Sequence, residues 1–114
     1  MLDPVRGPRV FNLDQKWARA YIMNDVLDQR LIPSDHALES RMGDETVLLH
    51  LENSKYYGLD AMGTQIWELI KEGSRPHAIC VLVAERYDID LERAKADVRV
   101  FLADLKAHDI LVDV

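Results

Sequence analysis

Residues 45–70 read ETVLLHLENSKYYGLDAMGTQIWELI, and the fold turns on this stretch. Val47, Leu49 and Leu51 alternate with Leu48 and His50, the period-2 pattern of a strand. Glu52-Asn53-Ser54 is turn-forming, and Lys55-Tyr56-Tyr57-Gly58-Leu59 returns as a second strand rich in aromatic β-formers. Asp60 can cap a helix in which Met62, Ile66, Leu69 and Ile70 fall on one face. Strand, hairpin, strand and helix follow one another with almost no slack, and no catalytic residue is placed on the way. That order suits a small binding module.

Working outward, Pro33-Ser34-Asp35 marks a boundary, His36 to Arg41 reads as a first, edge-type strand, and Met42-Gly43-Asp44-Glu45 as the hairpin turn into the next. Past the helix, Gly73 suits a C-cap, and Ser74 opens a second helix with Pro76 in its first turn. This helix turns Ile79, Leu82, Val83 and Tyr87 inward. Asp90 caps a third, in which Leu91, Ala94, Val98, Phe101, Leu102 and Leu105 form an apolar stripe. Ile110-Leu111-Val112 reads as a short last strand. The expected fold class is α+β and winged-helix-like, with a three-stranded antiparallel sheet near 36–41, 46–51 and 55–59. Three helices follow near 61–72, 76–87 and 91–107.

A chain of 114 residues suits one domain with one modest core. Apolar content is 48% with no run near the length of a membrane span, and no secretion signal is visible. The single Cys80, within Ile79-Cys80-Val81-Leu82-Val83, reads as a buried structural thiol. A cytoplasmic protein with no membrane partner is expected. The net charge of −6 argues against a nucleic-acid partner, which needs a local excess of Lys and Arg. The third helix sets Glu92, Asp97 and Asp104 against Arg93, Lys95, Arg99 and Lys106 and is close to neutral.

Residues 1–31 differ from 32–114, which hold the domain itself. Asp3 to Arg9 is punctuated by Pro and Gly, and a helix starting at Asn12 or Asp14 would carry Leu13, Trp17, Ala20, Tyr21 and Leu27. Three readings stand for this extension: a segment packed on its own domain, an arm pairing with a second copy in a homodimer, or residues foreign to the natural chain. Trp17, Tyr21 and Ile22 can bury surface, which favours packing on the domain or a neighbour.

The four histidines, His36, His50, His77 and His108, have no partner His, Cys or carboxylate at metal-ligand spacing. His50 alternates with leucines and is expected to face solvent or the polar side of the sheet. Gly-rich phosphate loops are absent, and no catalytic carboxylate pair stands out. No enzyme activity, metal or cofactor is expected. What remains is a recognition surface: an exposed strand edge offers unpaired N–H and C=O groups to which a peptide can add itself.

Leu59-Asp60-Ala61-Met62-Gly63-Thr64-Gln65-Ile66-Trp67-Glu68-Leu69-Ile70 resembles the Leu-Asn-x-x-Gly-x-x-Ile-Trp-x-Leu-Leu segment of the PqqD-like family, with Asp60 in place of the usual Asn. These proteins are the recognition elements of ribosomally made, modified peptides (RiPPs). The resemblance covers roughly 32–114. It implies a protein that binds the leader segment of a precursor peptide by strand addition and presents it to a separate protease, cyclase or radical-SAM enzyme. The strand wall would be Lys55, Tyr56, Tyr57 and Gly58; Lys95, Val98, Arg99 and Leu102 are candidates for the helix wall, with Lys95 and Arg99 free to pair an acidic leader. Phe101, Leu102, Trp67 and Leu59 also read as core, and one of Tyr56 and Tyr57 must point inward. Both lasso-peptide and pyrroloquinoline-quinone pathways use stand-alone forms; Lys55–Leu59 and Leu105–Val112 lean toward the lasso type. The alternative is a winged-helix DNA-binding protein or transcriptional co-regulator, since fold does not fix function.

Overall fold

The computed structural model describes residues 25–114. Its elements are β1 (Leu31–Pro33), β2 (Ala37–Met42), β3 (Glu45–His50), β4 (Tyr56–Leu59), α1 (Ala61–Lys71), α2 (Pro76–Arg86), α3 (Leu91–Ala107) and β5 (Leu111–Asp113), preceded by a 3-10 turn at Val26–Asp28. The expected α+β order is present: an antiparallel sheet, β2-β3-β4, followed by three helices. A second, two-stranded ribbon pairs β1 with β5, Leu31 opposite Asp113 and Pro33 opposite Leu111. It brings the two ends of the described chain together. The helix expected from Asn12 or Asp14 lies outside the described residues, apart from Leu27 in the 3-10 turn.

The β2–β3 hairpin closes through the two-residue loop Gly43-Asp44, with Gly43 at φ +67 at the first loop position, where a positive φ is needed. One face of the sheet turns Thr46, Leu48, His50, Tyr57 and Leu59 toward the helices, all buried. The expected outward position of His50 is therefore overturned: it shares the inner face with Leu48, while Val47 and Leu49 point outward and Leu51 lies just past the strand.

Asp60 caps α1, its carboxylate accepting the N–H of Gly63 at 2.8 Å, and Asp90 caps α3 through Arg93 N–H at 2.9 Å. Helix α2 is an exception. Its N-cap is Arg75 rather than Ser74, and Pro76 at the first turn sets the helix without a side-chain cap. All three helices end in the same way, with a residue in the left-handed region just past the cap: Gly73, Asp88 and Asp109. At α3 the N–H of Asp109 donates to Lys106 C=O at 3.1 Å and that of Ile110 to Leu105 C=O at 2.9 Å.

The core lies between sheet and helices around Trp67, Tyr57, Phe101, Leu48, Leu59, Ile66, Ile79 and Leu102. Val26 and Leu27 belong to it as well. Gly63 explains the small residue in the α1 motif, since a Cβ there would stand 3.0 Å from the Phe101 ring. Trp67 is buried and its indole N–H donates to Glu39 at 3.1 Å, so this large ring is both packed and satisfied.

Candidate functional site

Strand β4 is the end strand of the three-stranded sheet among the described residues, paired with β3 on one side only. The phase of its ladder follows from one bond: His50 N–H donates to Lys55 C=O at 2.9 Å. Hydrogen-bonded pairs alternate along an antiparallel ladder. The backbone groups of Tyr57 and Leu59 therefore face β3, and those of Tyr56 and Gly58 face the open edge. The edge offers two donors and two acceptors at the spacing of an incoming strand.

Side chains follow the same alternation. Tyr56 is 65% exposed on the outer face, while Tyr57 is fully buried against α3, its ring 5.0 Å from that of His108. Burial pushes the Tyr57 phenol above its ordinary value. Lys55 is exposed at the turn, which is held by a bond from Lys55 N–H to the Asn53 side chain at 2.9 Å.

The helix-wall candidates are placed differently from expectation. Val98 and Leu102 have no exposed surface and are core residues. Arg99 is not free: its guanidinium grips Asp25 through two bonds, at 3.0 and 3.2 Å, which holds the Asp25 carboxyl below the usual carboxylate range. Lys95 lies 3.5 Å from Glu92 on its own helix. Both basic residues do share a helix side, as their spacing predicts. That side carries the chain segment at Asp25, whereas the Tyr57 ring of β4 meets His108 at the C-cap of α3.

A further correction concerns the histidines. His36, His50 and Asp109 come together, with ligand atoms within 4.8 Å of one another. Asp109 Oδ2 lies 2.8 Å from His36 Nδ1 and 3.0 Å from His50 Nε2. The imidazoles hold the Asp109 carboxyl below its ordinary range, and Asp109 in turn raises His36. The three residues are far apart in sequence, so no spacing rule could have joined them.

Arg41, Thr64, Gln65, Glu68 and Arg86 help line an open cleft of about 430 Å³. Within it Arg41 pairs with Glu68 at 2.6 Å, and Arg86 donates to the side-chain amide oxygen of Gln65 at 2.8 Å. No described helix is long and apolar enough to cross a membrane.

Comparison with known proteins gives a family and two similar structures. Residues 45–111 match the model of the family described as Coenzyme PQQ synthesis protein D (PqqD). No curated protein matches the chain. Among solved structures, TbiB1 in complex with the TbiA(beta) leader peptide is similar, with 39% identity and a TM-score of 0.67 over 70% of this chain and 93% of that one. A lasso peptide synthetase B1 complexed with the leader peptide shares the fold at 16% identity, with a TM-score of 0.68 over 73% of this chain and 98% of that one. With the family model spanning more than half of its residues, from the start of β3 to the start of β5, the chain belongs to the PqqD family.

Proposed function

We propose that this protein binds the leader segment of a ribosomally made precursor peptide, of the lasso-peptide kind, and presents it to separate modifying enzymes. The observation that carries this reading is the open β4 edge, with the backbone groups of Tyr56 and Gly58 turned outward in a chain 39% identical to a leader-peptide-binding protein. The leader adds as a fourth strand beside β4, its backbone bonded to Tyr56 and Gly58. Gly58 has no side chain to hold the incoming backbone off. Tyr57 fills the floor between β4 and the end of α3. Lys55, exposed at the start of the edge, is placed to meet a leader carboxylate.

The cations of α3 do not suit a nucleic-acid groove. Arg93 pairs with Asp97 at 3.0 Å, Lys95 with Glu92 at 3.5 Å, Arg99 with Asp25 at 3.0 Å and Lys106 with Asp113 at 2.7 Å. Phosphate binding would have to break these pairs.

The test uses a fluorescent peptide with the TbiA(beta) leader sequence as probe. Tyr56→Pro removes an outward donor and leaves the β3 ladder intact, so affinity should fall at least about tenfold with native circular dichroism. Tyr57→Pro should instead damage the ladder and the fold. A folded Tyr56→Pro variant that binds like the wild type would remove this edge from the account.

A further inference from the structure

His50 makes contacts that the peptide edge alone does not require. Its Nδ1 accepts the backbone N–H of Glu52 at 3.2 Å and that of Asn53 at 3.3 Å, both in the β3–β4 turn. An Nδ1 that accepts cannot carry a proton, so the proton of the neutral ring sits on Nε2 and points to Asp109 Oδ2, 3.0 Å away. The ring is almost wholly buried. One side chain thus joins the turn that leads into β4 to the turn that ends α3.

The same tautomer argues against a metal at His36, His50 and Asp109, although these residues form the one group of ligand-type side chains found among the described residues. A metal on Nε2 of a neutral imidazole leaves the proton on Nδ1. There it would face the two backbone N–H groups that Nδ1 now accepts. The donor set does not fit an ion.

Asp109 follows the C-cap of α3 in the left-handed region at φ +58, as Asp88 does past α2, and its Oδ2 receives both His36 and His50.

We propose that His50 is a positioning residue for leader binding, tying the β3–β4 turn to Asp109 and thereby fixing the spacing between strand β4 and the end of α3. This role presupposes leader binding at the β4 edge. The ring faces Asp109 directly and His36 at a ring separation of 5.3 Å. Glu52, 3.4 Å from His36 Nε2, and Asp35 are the further charges around the cluster.

Two substitutions divide the contacts of His50. In His50→Asn the amide oxygen stands where Nδ1 was and keeps the turn bonds but cannot reach Asp109. In His50→Gln the amide nitrogen stands near Nε2 and keeps the Asp109 link without the turn bonds. Asp109→Gly removes the carboxylate at a position whose φ suits glycine, so the fold is expected to hold. With the TbiA(beta) leader probe, His50→Asn and Asp109→Gly should each weaken binding about five- to tenfold, and His50→Gln should stay within about threefold of the wild type. The double variant His50→Asn/Asp109→Gly should be no weaker than the weaker single one, because both remove the same His50–Asp109 link.

These affinities are measured well below each variant's melting temperature, where a merely structural link would lower melting and leave the affinity of the folded protein unchanged. The imidazole nitrogen spectrum of His50 should show the neutral Nε2–H form and shift in Asp109→Gly. A wild type that binds the probe while His50→Asn or Asp109→Gly binds equally well would overturn the positioning role alone, as would a spectrum showing the Nδ1–H form. A wild type that does not bind the probe would overturn the leader reading, and the positioning role with it.

Discussion

Gly63 and Trp67 show how single residues of the α1 motif earn their places by packing. Both lie in the segment that resembles the family pattern, and both are buried in the core. A Cβ on Gly63 would meet the Phe101 ring at 3.0 and 3.2 Å and the capping oxygen of Asp60 at 3.2 Å. Gly63→Val adds three carbons to that contact, and overpacking should destabilise the fold by about 1–3 kcal/mol. Trp67→Ala leaves a large cavity and removes the indole bond to Glu39, which keeps Lys71, at a cost of ~3–5 kcal/mol, comparable to the whole stability of a small domain. Both losses should appear in urea unfolding. A Trp67→Ala protein that keeps wild-type stability but loses leader binding would reassign that ring to the site.

At the scale of elements, the hairpin and helices were legible because their signals are local: alternation in β3, Asp60 and Asp90 as caps, Gly73 as a stop. The β1–β5 ribbon was legible only on one side, as the short last strand. Its three-residue partner contains Pro33 and pairs across nearly the whole described chain. The inward face of α3 was legible from its stripe, but the direction in which Lys95 and Arg99 look was not. The partner of Arg99 is Asp25, 74 residues away, in a segment with no pattern to mark it. The open edge was legible as an aromatic, Gly-containing strand, whereas its ladder phase needed the actual pairing. Charge reversal separates the two basic residues. Arg99→Glu sets a carboxylate against Asp25 and should cost about 1–3 kcal/mol of stability. Lys95→Glu loses only an exposed partner, Glu92 at 84% side-chain exposure, and should stay within about 0.5 kcal/mol. Equal melting of the two variants would mean that the Asp25 contact does not hold the Val26–Asp28 turn to α3.

For the molecule as a whole, the carboxylates and His36 set a pH window. Asp25, Glu68 and Asp109 have pKa values lowered from ordinary values of 3.8, 4.5 and 3.8, first through hydrogen bonds from Arg99, Lys71 and His36 respectively. Their stabilising contribution is present above those ordinary values and is lost as pH falls through the lower folded ones. His36 is shifted the other way, raised from 6.5 first by its hydrogen bond to Asp109. Its contribution is fully present below 6.5 and is lost as pH rises through the higher folded value. From these four groups, stability should be greatest between about pH 5 and 6.5, falling on both sides. His36 joins the start of β2 to the turn past α3, so its effect should be read in melting of the whole domain. Replacing His36 with Asn should flatten the melting temperature above pH 6.5 and leave the acid-side fall in place, because Arg99 and Lys71 still hold Asp25 and Glu68. Melting curves of the wild type and His36→Asn in matched buffers decide it. If the wild type melts at one temperature from pH 6 to 9, the His36–Asp109 pair contributes nothing to the fold in water.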